Sequence, residues 1–186
     1  VAAWKQFGEA FRHYPFSIPF LYRSPLNWIP RLVPRRRYRA QPLPWNWLPT
    51  DAFGDRLSDC FGPLSLEEIL ERLRRLSTHW EKGLAHFESG PRPVSQSGLT
   101  RWETELRVAR ATNLIFLLVA NAFDFALERS RCQEWKGWEN PSVLRDDALV
   151  VKYANIHRKL TRNLLRLVHM DSRIGYHEEA AFYFYK

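Results

Sequence analysis

Ser65-Leu66-Glu67-Glu68, followed by Ile69-Leu70-Glu71-Arg72-Leu73-Arg74-Arg75-Leu76, is the stretch that decides the fold class. The Ser65 hydroxyl is placed to accept from the Glu68 amide while the Glu68 carboxylate reaches back to the Ser65 amide, the reciprocal pattern of a capping box. Leu66, Ile69, Leu70, Leu73, Leu76, Trp80, Leu84 and Phe87 then recur at helical spacing, so one apolar face runs along the whole segment. Gly90-Pro91 ends it, since proline cannot continue a helix.

Two further long helices follow by the same reasoning. Thr100-Arg101-Trp102-Glu103 repeats the capping-box pattern and predicts a helix running to about Arg129. Its centre, residues 114–120, is apolar enough to raise the question of a membrane span. On a helical projection, however, Glu103, Arg110, Asn113, Asn121, Asp124 and Glu128 fall near one stripe, which a lipid-facing helix would not tolerate. No membrane association is therefore expected. Asn140 as cap and Pro141 at the first helical position predict a third helix, with Leu149, Tyr153, Ile156, Leu160, Leu164, Leu167 and Val168 on its inner side. Short connections between long helices imply antiparallel neighbours.

Upstream the character changes. Trp4, Phe7, Phe11 and Tyr14 are spaced for a short helix closed by Pro15, whose ring disfavours helical geometry in the residue before it. Ile18, Phe20 and Tyr22 alternate and predict a strand over residues 17–23, which Pro19 weakens by withholding a backbone donor. Residues 24–49 read as a stiff, extended loop, because eight of the twelve prolines precede residue 50. The expected fold is mainly α: an antiparallel three-helix bundle over residues 63–186, preceded over residues 1–62 by an irregular aromatic and Pro-rich segment with a short helix and one strand.

A chain of 186 residues that is 45% hydrophobic can bury a core of its own. The single methionine, Met170, and the closing run Phe182-Tyr183-Phe184-Tyr185-Lys186 predict that it is a piece of a longer protein. Lys5, Glu9 and Arg12 interrupt any secretory signal at its start. Cys60 and Cys132 have no CxxC spacing and no further cysteine partners, which excludes a disulfide framework and a cysteine-rich zinc site. The scattered histidines form no HExxH spacing, so neither metal nor cofactor is expected.

The net charge of +8 is uneven, with nine Lys/Arg against four Asp/Glu in residues 1–62. Arg31, Arg35, Arg36, Arg37 and Arg39 supply most of this excess beside Tyr38, a composition suited to an acidic partner or to nucleic acid. Helix, strand and polar aromatic loop in that order also describe the last α/β unit of a barrel, whose loops after the strands build the active site. On that reading Arg23, Asn27, Trp28, Trp45 and Trp47 face a carbohydrate, the indoles packing on sugar C–H groups and the polar groups taking hydroxyls. The competing reading is that these aromatics staple the loop onto the helices. Asp146-Asp147 and Glu178-Glu179 do not define an acid and a base; the first pair suits a helix N-terminus.

Two resemblances add to this. Ala3-Trp4-Lys5-Gln6-Phe7-Gly8-Glu9-Ala10-Phe11-Arg12-His13-Tyr14-Pro15-Phe16, with Tyr22-Arg23-Ser24-Pro25-Leu26-Asn27, resembles the end of the barrel in large bacterial proteins related to family 20 and family 67 glycoside hydrolases. Asp171-Ser172-Arg173-Ile174-Gly175-Tyr176 resembles the segment closing their C-terminal helical domain. The resemblance implies an accessory helical portion of a carbohydrate-active hydrolase, whose catalytic carboxylates belong to the rest of the parent chain. Asp171 and Arg173 would then fix the loop after the third long helix. Separately, Arg162-Asn163 with His169 resembles the Arg-Asn-to-His motif of HEPN ribonucleases; the plainer reading is an exposed, Arg-rich helix face.

Overall fold

The computed structural model describes residues 1–16, 64–131 and 147–171, together with Leu32 and Ile174. These are mainly helical, with no strand among them: α1 is Ala2–Phe11, α2 Leu66–Ser89, α3 Gln96–Arg131 and α4 Ala148–Met170. The expected strand over residues 17–23, the loop that follows it and the boundary near residue 62 lie outside the described residues.

α2 begins and ends where its local chemistry dictates. Ser65 Oγ accepts from the Glu68 amide at 3.2 Å and Glu68 Oε2 accepts from the Ser65 amide at 2.7 Å, closing the capping box. These hydrogen bonds hold the Glu68 carboxyl below its ordinary pKa. α3 starts earlier than Thr100. Ser95 Oγ accepts from the Gly98 amide at 3.2 Å and the Ser95 carbonyl from the Leu99 amide at 2.9 Å, so Ser95 caps the helix. Thr100 already lies past the first turn and donates its hydroxyl to the Gln96 carbonyl at 3.0 Å. A cap residue cannot sit inside a continuing helix, so the expected cap at Thr100 is corrected. α4 starts at Ala148, where Asp147, in extended geometry, accepts from the amides of Leu149 and Val150; the expected cap Asn140 and Pro141 lie outside the described residues.

Consecutive helices pack side by side, α1 on α2, α2 on α3 and α3 on α4. Glu67 pairs with Arg131, Arg74 with Asp124 and Glu88 with Arg110, so α2 and α3 run in opposite directions. Between them lie Ile69, Leu70 and Leu73 against Val119, Phe123 and Leu127, and Leu76, Trp80 and Leu84 against Leu106, Ala109 and Phe116. Each fully buried side chain of this size contributes about 1.5–3 kcal/mol. The Trp80 indole N–H donates to the Ala109 carbonyl at 2.8 Å, so the ring is buried without an orphaned donor.

The C-terminal half of α3 is enclosed on two sides. Val119, Phe123 and Leu127 face α2, while Leu118 and Phe125 meet Leu164, Leu167 and Val168 or Tyr153 of α4. Over Gln96–Arg129 the helix is long and apolar enough to cross a membrane by length and composition alone. Its Arg110 and Asp124 are engaged by Glu88 and Arg74 of the neighbouring helix. Asn121, also buried, donates to the Tyr153 carbonyl at 3.3 Å and ties α3 to α4. Burial, and after it the charge and hydrogen bond of Asp124, push the Tyr153 hydroxyl up to about 12. Leu32 packs, half-buried, beside Phe125 and Tyr153.

α1 docks differently from its expected stripe. Ala3, Phe7 and Ala10 are buried, whereas Trp4 and Phe11 are 61% and 54% exposed. The small residues set the approach: a Cβ at Gly83 would overlap Phe7 ring carbons Cδ1 and Cε1 and lie 3.2 Å from the Ala3 carbonyl oxygen. The glycine therefore lets α1 settle onto α2, with the Phe7 ring centroid 4.4 Å from that of Trp80. Trp102 packs edge-on against Phe87, and the Arg92 guanidinium covers its ring.

Candidate functional site

α4 carries its charge in an unusual way. Residues 148–170 hold five Lys/Arg and no Asp or Glu. Helical geometry turns Tyr153, Leu160, Leu164, Leu167 and Val168 toward α3 and leaves Asn155, Arg158, Lys159, Arg162 and Arg166 on the opposite, exposed side. Ile156, expected on the inner side, is 41% exposed, and His157 takes the inward position instead. Burial holds the His157 imidazole below its ordinary pKa, and its Nδ1 has no hydrogen-bond partner.

Asn155, Arg158, Lys159, Arg162, Asn163 and Arg166 line an open groove of about 280 Å³ along this face. Arg158 Nη1 donates to Asn155 Oδ1 at 2.9 Å, which fixes one wall. Arg158, Arg162 and Arg166 are each one step of four residues apart, so their heads repeat every 6 Å or so along the axis. The ion pairs elsewhere make the contrast. Arg12, Arg74, Arg75, Arg110 and Arg131 each meet a carboxylate on α1, α2 or α3, whereas no α4 lysine or arginine forms an ion pair among the described residues. Like charges at this spacing repel by a few tenths of a kcal/mol per pair, a cost that an anion laid along the groove would reverse.

Of the residues singled out in the sequence, Asp171 is the one carbohydrate-site candidate among the described residues. It sits at the C-cap of α4, buried, with its amide donating to the Leu167 carbonyl and its carbonyl accepting from the Ile174 amide. Its Oδ2 lies 3.8 Å from Arg107 Nε of α3, close enough for an ion pair and too long for a hydrogen bond. Arg23, Asn27, Trp28, Trp45, Trp47 and Arg173 lie outside the described residues, as do Arg31, Arg35, Arg36, Arg37, Arg39, Cys60, Cys132 and Asp146. Arg162 and His169 are both exposed on the outer side of α4, and Asn163 is half-buried; of the three, Arg162 and Asn163 line the groove and His169 does not. Among the described residues no three His, Cys, Asp or Glu side chains come together as a metal site would need.

Sequence reasoning placed the arginine-rich surface upstream, in residues 31–39, and treated the α4 arginines as a solvated face. The signal that marks the groove was present: residues 148–170 carry five Lys/Arg and no acid. No protein-family model matches the chain, and neither the curated proteins nor the solved structures contain a match to it.

Proposed function

We propose that this chain is a basic helical interaction module that binds an anionic macromolecule through the outer face of α4. The supporting observation is the groove of Arg158, Lys159, Arg162 and Arg166, four cations gathered on one face with no carboxylate partner among the described residues, whereas Arg74, Arg75 and Arg110 of α2 and α3 each have one. In this reading α2, α3 and α4 form the antiparallel three-helix bundle expected from the sequence, with α1 on its flank. α3 is the core helix rather than a membrane span, and the bundle holds α4 straight and presents its charges in one line. Guanidinium groups suit such a partner because each fork makes paired, charge-assisted hydrogen bonds to phosphate or carboxylate oxygens.

The test is anisotropy of labelled polyphosphate titrated with the protein. Arg162→Gln with Arg166→Gln should weaken binding and flatten its salt dependence, whereas Arg75→Gln, which removes a cation already paired with Glu71, should change neither. Binding untouched by the α4 pair removes the proposal.

The sequence also supports a second reading, an accessory helical portion of a glycoside hydrolase that shapes a sugar site with Arg23, Asn27, Trp28, Trp45 and Trp47. What supports it is the sequence resemblance; Asp171, which that reading gives a positioning role, is buried at the end of α4, 3.8 Å from Arg107. Its test is glycan binding: a sugar ligand retained by the Trp45→Ala, Trp47→Ala double variant ends that assignment.

A further inference from the structure

Building on the α4 reading above, we infer that the partner is the phosphodiester backbone of a base-paired nucleic acid, recognised without regard to base sequence. The first argument is composition of the groove. Its lining is three arginines, one lysine and two asparagines, with no aromatic or aliphatic side chain. Unpaired strands are held largely by stacking bases on aromatic rings, and the groove lining offers none. Protein interfaces centre on a desolvated aromatic or aliphatic anchor ringed by polar groups, and the middle of this groove holds only polar groups. What remains is a partner whose outer surface is itself a regular row of anions with its bases turned inward.

Geometry gives the second argument. Arg158, Arg162 and Arg166 form one line on a rigid helix, spanning about 12 Å from first to last, so consecutive guanidiniums can engage consecutive phosphates of one strand. Asn155 and Asn163, in the adjacent row with Lys159 between them, each carry both a donor and an acceptor and can reach the sugar edge or a phosphate oxygen. The groove is open to solvent along the helix, as contact with a backbone requires. It has no enclosed pocket for an extruded base.

The experiment compares three probes on the intact chain: an RNA hairpin stem, a DNA duplex of equal length, and polyglutamate of equal charge. The expected result is binding to one or both duplexes, with polyglutamate much weaker at the same salt. Each phosphate neutralised adds about 0.9 to the slope of log affinity against log salt. Arg158→Gln, Arg162→Gln and Arg166→Gln together should therefore lower that slope by up to about 2.7. Circular dichroism and the melting temperature show whether the triple variant is folded; the single variant Arg166→Gln, expected to lower the slope by about 0.9, serves if it is not. Binding that is equal or tighter for polyglutamate, but still lost on substituting α4, overturns the nucleic-acid assignment and leaves the anion-binding reading standing. Duplex binding with an unchanged slope in the triple variant, or no binding to any probe, overturns both.

Discussion

Gly83→Ala is the substitution that most sharply tests how α1 is held. In a solvent-facing helix the change raises stability by about 1 kcal/mol through helix propensity. Here the new methyl would overlap the Phe7 ring and press the Ala3 carbonyl. Phe7 cannot swing aside easily: it is 4% exposed, with its centroid 4.4 Å from Trp80 and 5.7 Å from Trp4. Overpacking of this kind costs about 1–3 kcal/mol, so the net effect should be a loss of up to about 2 kcal/mol. Phe7→Ala removes the ring and itself costs about 3–5 kcal/mol. In that background the ring clash is gone, only the 3.2 Å approach to the Ala3 carbonyl oxygen remains, and Gly83→Ala should cost less than in the parent or become stabilising by up to about 1 kcal/mol. Urea denaturation of the four proteins measures the cycle, with midpoint shifts at constant slope reporting stability. A gain from Gly83→Ala of the same size in both backgrounds would refute close approach of α1 to α2.

Capping chemistry provides a second set of outcomes. Ser65→Ala and Ser95→Ala should each cost about 1 kcal/mol, while Thr100→Ala should stay within about 0.5 kcal/mol because Thr100 caps nothing. Equal losses at Ser95 and Thr100 by thermal melting would contradict the observed start of α3. For His157, burial lowers the folded pKa, so the unfolded chain binds the extra proton. The stability this group supplies is complete above the unfolded value of 6.5 and is lost as pH falls through the lowered folded value. His157→Leu should flatten that part of the stability–pH profile, and an unchanged acid limb would show that the ring is not desolvated.

The helices were legible in the sequence where capping and periodicity agreed, as in α2, whose Ser65-to-Glu68 box and Gly90 end reappear in the structure. α3 misled because Thr100-to-Glu103 satisfies the same pattern, while Ser95 lacks a glutamate three residues on and reads as turn. Counting apolar side chains likewise favoured Trp4, Phe11 and Ile156 over Ala3, Ala10 and His157. Burial is decided by the direction of approach, which Gly83 sets for α1 and the α3 surface sets for α4. The candidate site was legible only in part. A stretch without acids can be read from composition, but that Asn155 and Asn163 join three arginines in one groove requires the helix phase.

The central claim is that α4's outer face is the binding surface, and amide chemical-shift mapping of the labelled protein titrated with polyphosphate tests it most directly. Shifts should concentrate at residues 155–166 and spread weakly if at all into α1 and α2. Saturable binding whose shifts leave those residues of α4 unmoved would contradict the account.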